Sequence, residues 1–383
     1  MSEGIEIHEG LQGVYITKSS ICKVDGQNGK LYYRGYKIED LAQFSSYEEV
    51  CYLLLYGSLP NEKQLSEFNE KLKRERAISQ ETKNIIKSLA SKSQALDVLR
   101  TALSSIASDD PEPYSPEENK NIEKAMKIIA KTATISAAIG RVKKGLAIVE
   151  PDNALNHSEN FLFMLTGKKP DQEKSRLIDI MFILHAEHSS NASTFATLVA
   201  CSTLADIYAG VTAGVAALKG PLHGGADEAA IKMMKAIGEP SNTEKYIEEA
   251  LAEKKKIMGF GHRVYKTYDP RAKILKAYLD KIKGNSDEDV NRFIEISLRA
   301  EKMMIEKLGE SHGIWPNVDF FSGPLYLHLG VEPELFDTVF ASSRTVGWCA
   351  HVIEYWRNNK LFRPLEEYEG PLDLVYKPIS ERQ

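Results

Sequence analysis

The chain has 383 residues, 43 % of them hydrophobic and 27 % charged, with 49 basic and 54 acidic side chains for a formal charge of −5. This balance excludes a disordered chain, and mild acidity without a long basic stretch argues against nucleic acid as the main partner. The length corresponds to two or three structural units, with a core large enough to enclose a site.

Residues 1–9 carry Glu3, Glu6 and Glu9 and no apolar run, so neither a secretory leader nor a transit peptide is expected. Residues 13–33 form the one expected β region. Val14-Tyr15-Ile16-Thr17 and Lys30-Leu31-Tyr32-Tyr33 are β-prone and flank a turn at Asp25-Gly26-Gln27-Asn28-Gly29. The helical period dominates thereafter. Ser46-Tyr47-Glu48-Glu49 reads as a capping box opening a helix through Leu53, Leu54 and Leu55. Ser115-Pro116-Glu117-Glu118 reads as a second box, with proline at the first helical position, for a helix reaching Val142. Along it Ala125, Ile128, Thr132, Ile135 and Ile139 recur at steps of three and four, which predicts one apolar face.

Further helices are expected near 172–188, 192–206, 208–219, 225–236, 244–257, 270–283, 288–308 and 334–358. The helices at 192–206 and 208–219 carry Ala, Gly, Ser and Thr on nearly every face, which places them at the centre of the molecule or in a subunit interface. The longest uncharged stretch, 189–205, opens with too many hydroxyl and amide side chains for a membrane span. Cys22, Cys51, Cys201 and Cys349 are widely spaced with no C-x-x-C, so no disulfide framework is expected and a reducing, cytoplasmic setting is. No linker or repeat interrupts the chain, so a domain boundary has to be a hinge within packed structure.

Several polar residues do not fit a plain helical core. His223 sits between Gly220-Pro221-Leu222 and Gly224-Gly225, on a tight turn at a helix start where backbone N–H groups would hold the imidazole neutral and able to donate; it could equally be a turn histidine with its ring in water. His262 lies in Gly259-Phe260-Gly261-His262-Arg263, with Lys254, Lys255, Lys256, Arg263 and Lys266 around it, which suits a phosphate-bearing ligand or else a solvated helix face. The segment is neither a P-loop nor a complete dinucleotide fingerprint. Asp319 stands between Val318 and Phe320-Phe321: either partly desolvated, with a raised pKa and the basicity that follows, or the cap of a helix starting near Phe320.

Arg271, Arg344 and Arg363 stand near expected helix ends among apolar neighbours, where a buried guanidinium requires an anion, from a ligand or from the protein itself. His185-Ala186-Glu187-His188 fits no zinc signature, and no metal site is expected. His8, His157, His328 and His351 carry no supporting context.

In their order along the chain, several blocks resemble the citrate synthase family. They are Arg34-Gly35-Tyr36, His185-Ala186-Glu187-His188 with Asn191-Ala192-Ser193-Thr194-Phe195, Gly220-Pro221-Leu222-His223-Gly224-Gly225-Ala226, Gly259-Phe260-Gly261-His262-Arg263-Val264-Tyr265, Asp269-Pro270-Arg271, Pro316-Asn317-Val318-Asp319 and Ser343-Arg344-Thr345-Val346-Gly347-Trp348. The resemblance spans residues 34–348 and implies a mainly α, two-domain helical fold with a short N-terminal β-hairpin, assembled as a homodimer. A large domain of residues 1–222 and 325–383 would carry the dimer interface, and a small one of residues 223–324 would close over the cleft.

The implied activity is condensation of acetyl-CoA with oxaloacetate and water. His223, His262 and Asp319 match the family's catalytic residues, and His188, Arg271 and Arg344 match those that hold oxaloacetate. Arg363 matches the arginine reaching the neighbouring subunit's site. Ile257, Met258, Gly259 and Lys266 fall where the family contacts coenzyme A, which is a co-substrate; no permanently bound cofactor is implied. Where the family often has a coenzyme A-binding lysine ahead of Pro-Asn-Val-Asp, this chain has Ser311-His312-Gly313-Ile314-Trp315. The alternatives are a 2-methylcitrate synthase using propionyl-CoA, and a silent acyl-CoA-binding scaffold.

Overall fold

An antiparallel sheet near the N-terminus is the only β structure of any extent among residues 6–382, the residues described by the computed structural model; the rest is predominantly helical. Strand Cys22–Asp25 pairs with Lys30–Tyr33, which pairs with Tyr36–Lys37. The turn at 25–29 lies where expected, closed by the Asn28 N–H and Nδ2 donating to the Asp25 carboxylate at 3.1 and 2.9 Å. The first strand does not lie at 14–17. Tyr15 is 97 % exposed there, and β-prone side chains with no ladder to join do not form a strand.

At the first capping box, the Ser46 side chain accepts from the Glu49 N–H and opens helix Tyr47–Tyr56. The Glu49 carboxylate goes to Ser45 Oγ instead of returning to Ser46. The second box does not form. Helix Glu118–Lys143 begins without a side-chain cap, because Ser115 Oγ takes the Glu117 N–H in a local turn. Reciprocal boxes do occur at Asn61 with Gln64 and at Asn156 with Glu159, opening helices Glu62–Arg74 and His157–Thr166, which were not anticipated. Ile38–Phe44, Gln80–Leu89 and Ala95–Ser105 are likewise additions to the expected helices, and Val318–His328 is the helix near Phe320 that the alternative reading of Asp319 required.

The expected helices are all present, with shifted ends: Gln172–His185, Ala192–Ser202, Ile207–Leu218, Ala226–Ile237, Thr243–Ala252, Pro270–Ile282, Glu288–Met304 and Phe336–Trp356. Helix Glu118–Lys143 exceeds its predicted single apolar face, being buried on every side over 128–140, because Phe336–Trp356 and His157–Thr166 both pack on it. Helices Ala192–Ser202 and Ile207–Leu218 pack tightly on each other and on Phe336–Trp356. A Cβ at Gly210 would stand 2.2 Å from Cys201 Sγ, and one at Gly214 2.5 Å from Thr197 Oγ1, so small residues set this spacing. Beyond Trp356 the chain has little regular structure and leaves Leu365, Leu372, Val375 and Tyr376 exposed.

Helix Val318–His328 crosses the expected 324/325 boundary and packs on Ala226–Ile237, Pro270–Ile282 and Glu288–Met304. All four cysteines are free, and no helix among the described residues is long and apolar enough to cross a membrane.

Candidate active site

His223 is held by the tight turn that follows helix Ile207–Leu218. Its N–H donates to Gly220 O at 2.8 Å, and a Cβ at Gly224 would stand 2.1 Å from Leu218 O, so glycine is required there. The next helix, Ala226–Ile237, has Gly225 at its cap position in the left-handed region and no cap from its own side chains. Asp337, from helix Phe336–Trp356, accepts the Gly225 N–H at 2.9 Å and fastens the turn.

The imidazole of His223 meets the N-terminus of helix Ala192–Ser202, where the Ser193 N–H donates to Nε2 at 3.2 Å and Ser193 Oγ lies 2.8 Å away. A main-chain N–H can only donate, so Nε2 accepts and the ring proton sits on Nδ1. Burial, and then the nearby Arg344 cation, pull the pKa down to about 4, which leaves the ring a neutral donor. The His223 ring is half-buried at the cavity and does not stand in open water.

His262 reaches the same neutral state with the opposite tautomer. Its Nδ1 accepts the N–H groups of Val264 and Tyr265 at 3.0 and 3.1 Å, so the proton sits on Nε2. Burial, and then Arg271, again lower the pKa to about 4. Its loop is zipped to the segment that carries Asp319. The Gly261 N–H donates to Trp315 O, the Asn317 N–H to Gly259 O, both at 2.9 Å, and Asn317 Nδ2 to Gly261 O at 3.0 Å. Gly259, with φ +79°, lies against Phe320, where a Cβ would fall 2.7 Å from Phe320 Cβ.

Asp319 does not cap its helix. Asn317 does, its side chain accepting the Asp319 N–H at 3.1 Å. Freed from that duty, the carboxylate lines the cavity and has no hydrogen-bond partner among the described residues. Phe320 and Phe321 beside it are fully buried. Burial raises its pKa to about 6, against the pull of Arg271, with Asp269 and Asp337 adding to the rise.

The two guanidiniums are anchored differently. Arg271 is clamped by Asp269, with Nε–Oδ1 at 3.1 Å and Nη2–Oδ2 at 2.8 Å, which supplies the protein carboxylate foreseen as an alternative while leaving Nη1 over. Arg344 is not near a helix end as expected but inside Phe336–Trp356, a long helix buried over most of its length. Its Nε donates to His185 O at 2.6 Å, and its guanidinium carbon lies 4.6 Å from the Phe340 ring centroid.

His188 lies 3.3 Å from Tyr265 OH, with its ring edge-on to His262, and burial followed by Arg271 drives its pKa well down. His185 turns away to Met181 O at 2.7 Å, so the two histidines of that motif do not converge.

His188, His223, His262, Arg271, Asp319 and Arg344 therefore border one cavity of about 120 Å³. Arg363 does not: its side chain is exposed on the C-terminal segment, with Nη1 donating to Pro364 O at 2.6 Å. Of the coenzyme A candidates, the Ile257 side chain is buried, Met258 is half-buried, Gly259 is under Phe320, and Lys266 is exposed with its main-chain N–H on Gly26 O at 3.0 Å. Sequence reasoning missed the orienting residues Ser193, Asn317 and Asp337. Asn317, a helix cap, had a local signal; Ser193 and Asp337 act on residues remote in sequence and had none.

A basic carboxylate, two neutral N–H donors and two guanidiniums around one cavity can deprotonate a weakly acidic carbon, stabilise the oxygen that gains charge and hold a dicarboxylate.

The family model for the citrate synthase C-terminal domain matches residues 10–365. A citrate synthase of Deinococcus radiodurans is 42 % identical over 379 residues, 98 % of this chain and 99 % of its own length. A 2-methylcitrate synthase of Corynebacterium glutamicum is 37 % identical over 98 % of each. The solved citrate synthase of Thermoplasma acidophilum, a ternary complex with carboxymethyl coenzyme A and oxaloacetate, superposes with a TM-score of 0.93 at 37 % identity, covering 98 % of this chain and 100 % of that one.

Proposed function

The chain belongs to the citrate synthase family of acyltransferase-type enzymes, and from that premise we propose that it condenses acetyl-CoA with oxaloacetate and water to citrate and coenzyme A. The observation that carries the proposal is the pairing of opposite tautomers. The Nδ1–H of His223 and the Nε2–H of His262 are fixed by backbone donors on the far side of each ring, at the same cavity as a carboxylate with a pKa near 6.

In this reading Asp319 removes a proton from the acetyl methyl group while His223 donates to the thioester oxygen as it becomes enolate-like. The carbanion attacks the oxaloacetate ketone, whose oxygen takes a hydrogen bond from His262, and water then cleaves the citryl thioester. Arg271, Arg344 and His188 hold oxaloacetate. The main chain of Ile257 and Met258, with Gly259 and Lys266, borders coenzyme A, which arrives as co-substrate. The unit that begins at residue 223, extended past 324 to include the whole of helix Val318–His328, closes over the cleft once oxaloacetate is bound, excluding water until the carbon–carbon bond has formed.

Two copies assemble through helices Ala192–Ser202 and Ile207–Leu218. Support comes from Val199 on the first of them, 38 % exposed, from Leu204 in the turn between them, 48 % exposed, and from the exposed apolar side chains Leu365, Leu372, Val375 and Tyr376 of the C-terminal segment. Arg363 on that segment then serves the partner's site. Free thiols throughout fit a cytoplasmic setting.

The test is thiol release from acetyl-CoA with and without oxaloacetate. Release that depends on oxaloacetate is expected, and release independent of it overturns the reading. Repeating the assay with propionyl-CoA addresses the second reading, which the Corynebacterium relative favours. A kcat/KM higher for propionyl-CoA than for acetyl-CoA would make the chain a 2-methylcitrate synthase.

A further inference from the structure

Behind the residues that line the site lies a buried acid that the mechanism does not use. Glu187 is 0 % exposed, immediately before His188 in the chain, and only one of its carboxylate oxygens has a partner. His351 Nε2 donates to Oε1 at 2.9 Å, while Oε2 is buried without a hydrogen bond. An unpartnered carboxylate oxygen in the interior is costly, and persists where a nearby cation offsets it.

That cation is Arg344. Arg344, Gly347 and His351 lie at i, i+3 and i+7 of helix Phe336–Trp356, on one face. A Cβ built on Gly347 would stand 2.3 Å from Glu187 Oε2 and 3.4 Å from Arg344 Cδ, so the carboxylate and the arginine stem meet across this glycine. Arg344, in turn, forms no ion pair among the described residues. It has one hydrogen bond, from Nε to His185 O, and the Phe340 ring nearby, and its terminal nitrogens have no protein acceptor. Burial lowers its pKa, and Glu187 is the largest influence opposing that fall.

We propose that Glu187 is a positioning residue for the substrate dicarboxylate: its charge, approaching Arg344 from the stem side and oriented by His351, compensates the buried guanidinium and aligns it while leaving its fork open for oxaloacetate. A direct salt bridge would occupy the fork, and an apolar residue would leave a buried cation uncompensated in the empty enzyme. Gly347 makes the arrangement possible by vacating the space the carboxylate fills. The proposal rests on the role given above to Arg344 in holding oxaloacetate.

The wild-type enzyme is assayed first, because absence of oxaloacetate-dependent thiol release would overturn that reading and not the role of Glu187 in it. In Glu187→Gln the KM for oxaloacetate and its calorimetric Kd are expected to rise about tenfold or more, while the KM for acetyl-CoA at saturating oxaloacetate stays within about twofold. Glu187→Asp, which keeps the charge, is expected to recover most of the loss. His351→Phe, which keeps the acid but releases its orientation, is expected to raise the oxaloacetate KM by about three- to fivefold. A folded Glu187→Gln, checked by circular dichroism, with unchanged oxaloacetate KM or with both KM values raised equally overturns the proposal. Should Glu187→Gln fail to fold, an unchanged oxaloacetate KM in His351→Phe overturns it, and a selective rise supports it.

Discussion

The two substrate regions, the oxaloacetate end inside the cavity and the coenzyme A end outside it, are built by opposite means. At the end proposed for oxaloacetate, Arg271 and Arg344 are 3 % and 2 % exposed and each is hydrogen-bonded, one to Asp269 and the other to a main-chain carbonyl. At the end proposed for coenzyme A, Lys254, Lys255, Lys256, Arg263 and Lys266 all stand in solvent, and Lys255 pairs only with neighbouring Glu253. A desolvated, fixed cation discriminates sharply between ligands, because its alternative to a matched anion is an unpaired buried charge. An exposed lysine remains hydrated either way and contributes a weak attraction that salt screens. One end therefore selects, and the other recruits.

The contrast can be broken or sharpened by experiment. The largest effect is expected where the ends meet. Asp319→Asn should reduce both methyl-proton exchange of acetyl-CoA and condensation by about 10³-fold while oxaloacetate still binds in calorimetry. Turnover near that of the wild type would remove Asp319 from the role of base. Next comes the selecting end: Arg344→Leu should raise the Kd of oxaloacetate about 10²-fold and that of acetyl-CoA far less. Equal losses for both ligands would erase the distinction between the ends.

The pH dependence follows from the raised pKa of Asp319. The base must be ionised to act, so kcat/KM for acetyl-CoA should fall about tenfold per pH unit as pH drops below about 6. His223 and His262, lowered to about 4, stay neutral across that range and add no limb of their own. An acid limb near 4, or none, would place the base elsewhere. In mixed dimers of Arg363→Ala and His262→Ala subunits, about half of the wild-type activity per dimer should return in the hybrid species, because one site then has both residues. No recovery would remove Arg363 from the partner's site. The smallest effect belongs to the recruiting end, where Lys266→Ala should raise the KM of acetyl-CoA about two- to fivefold, and less as salt is added.

Legibility in the sequence followed locality. The helical class, the hairpin turn at 25–29, and the helices at 192–206 and 208–219 were readable because period, turn residues and small side chains act on near neighbours. The strand expected at 14–17 fails because it finds no ladder to join, and the capping box at Ser115 fails because Ser115 Oγ takes the Glu117 N–H in a local turn instead. The helices opening at Asn61 and Asn156 carry local boxes of their own, closed by Gln64 and Glu159, so their starts are written in the sequence as well. Within the site, His223, His262 and Asp319 were visible from glycine, proline and aromatic flanks. Their protonation states were not.

By itself the sequence determined which chemistries were available: imidazoles on glycine-lined turns, a carboxylate among phenylalanines, and arginines among apolar neighbours. Those are properties of short segments, written in backbone freedom and side-chain polarity. Only the tertiary structure decided how each group is set. His223 owes its tautomer to Ser193, 30 positions away, and Glu187 owes its orientation to His351, 164 positions away. Donor direction and desolvation depend on neighbours in space, and distance along the chain does not encode them.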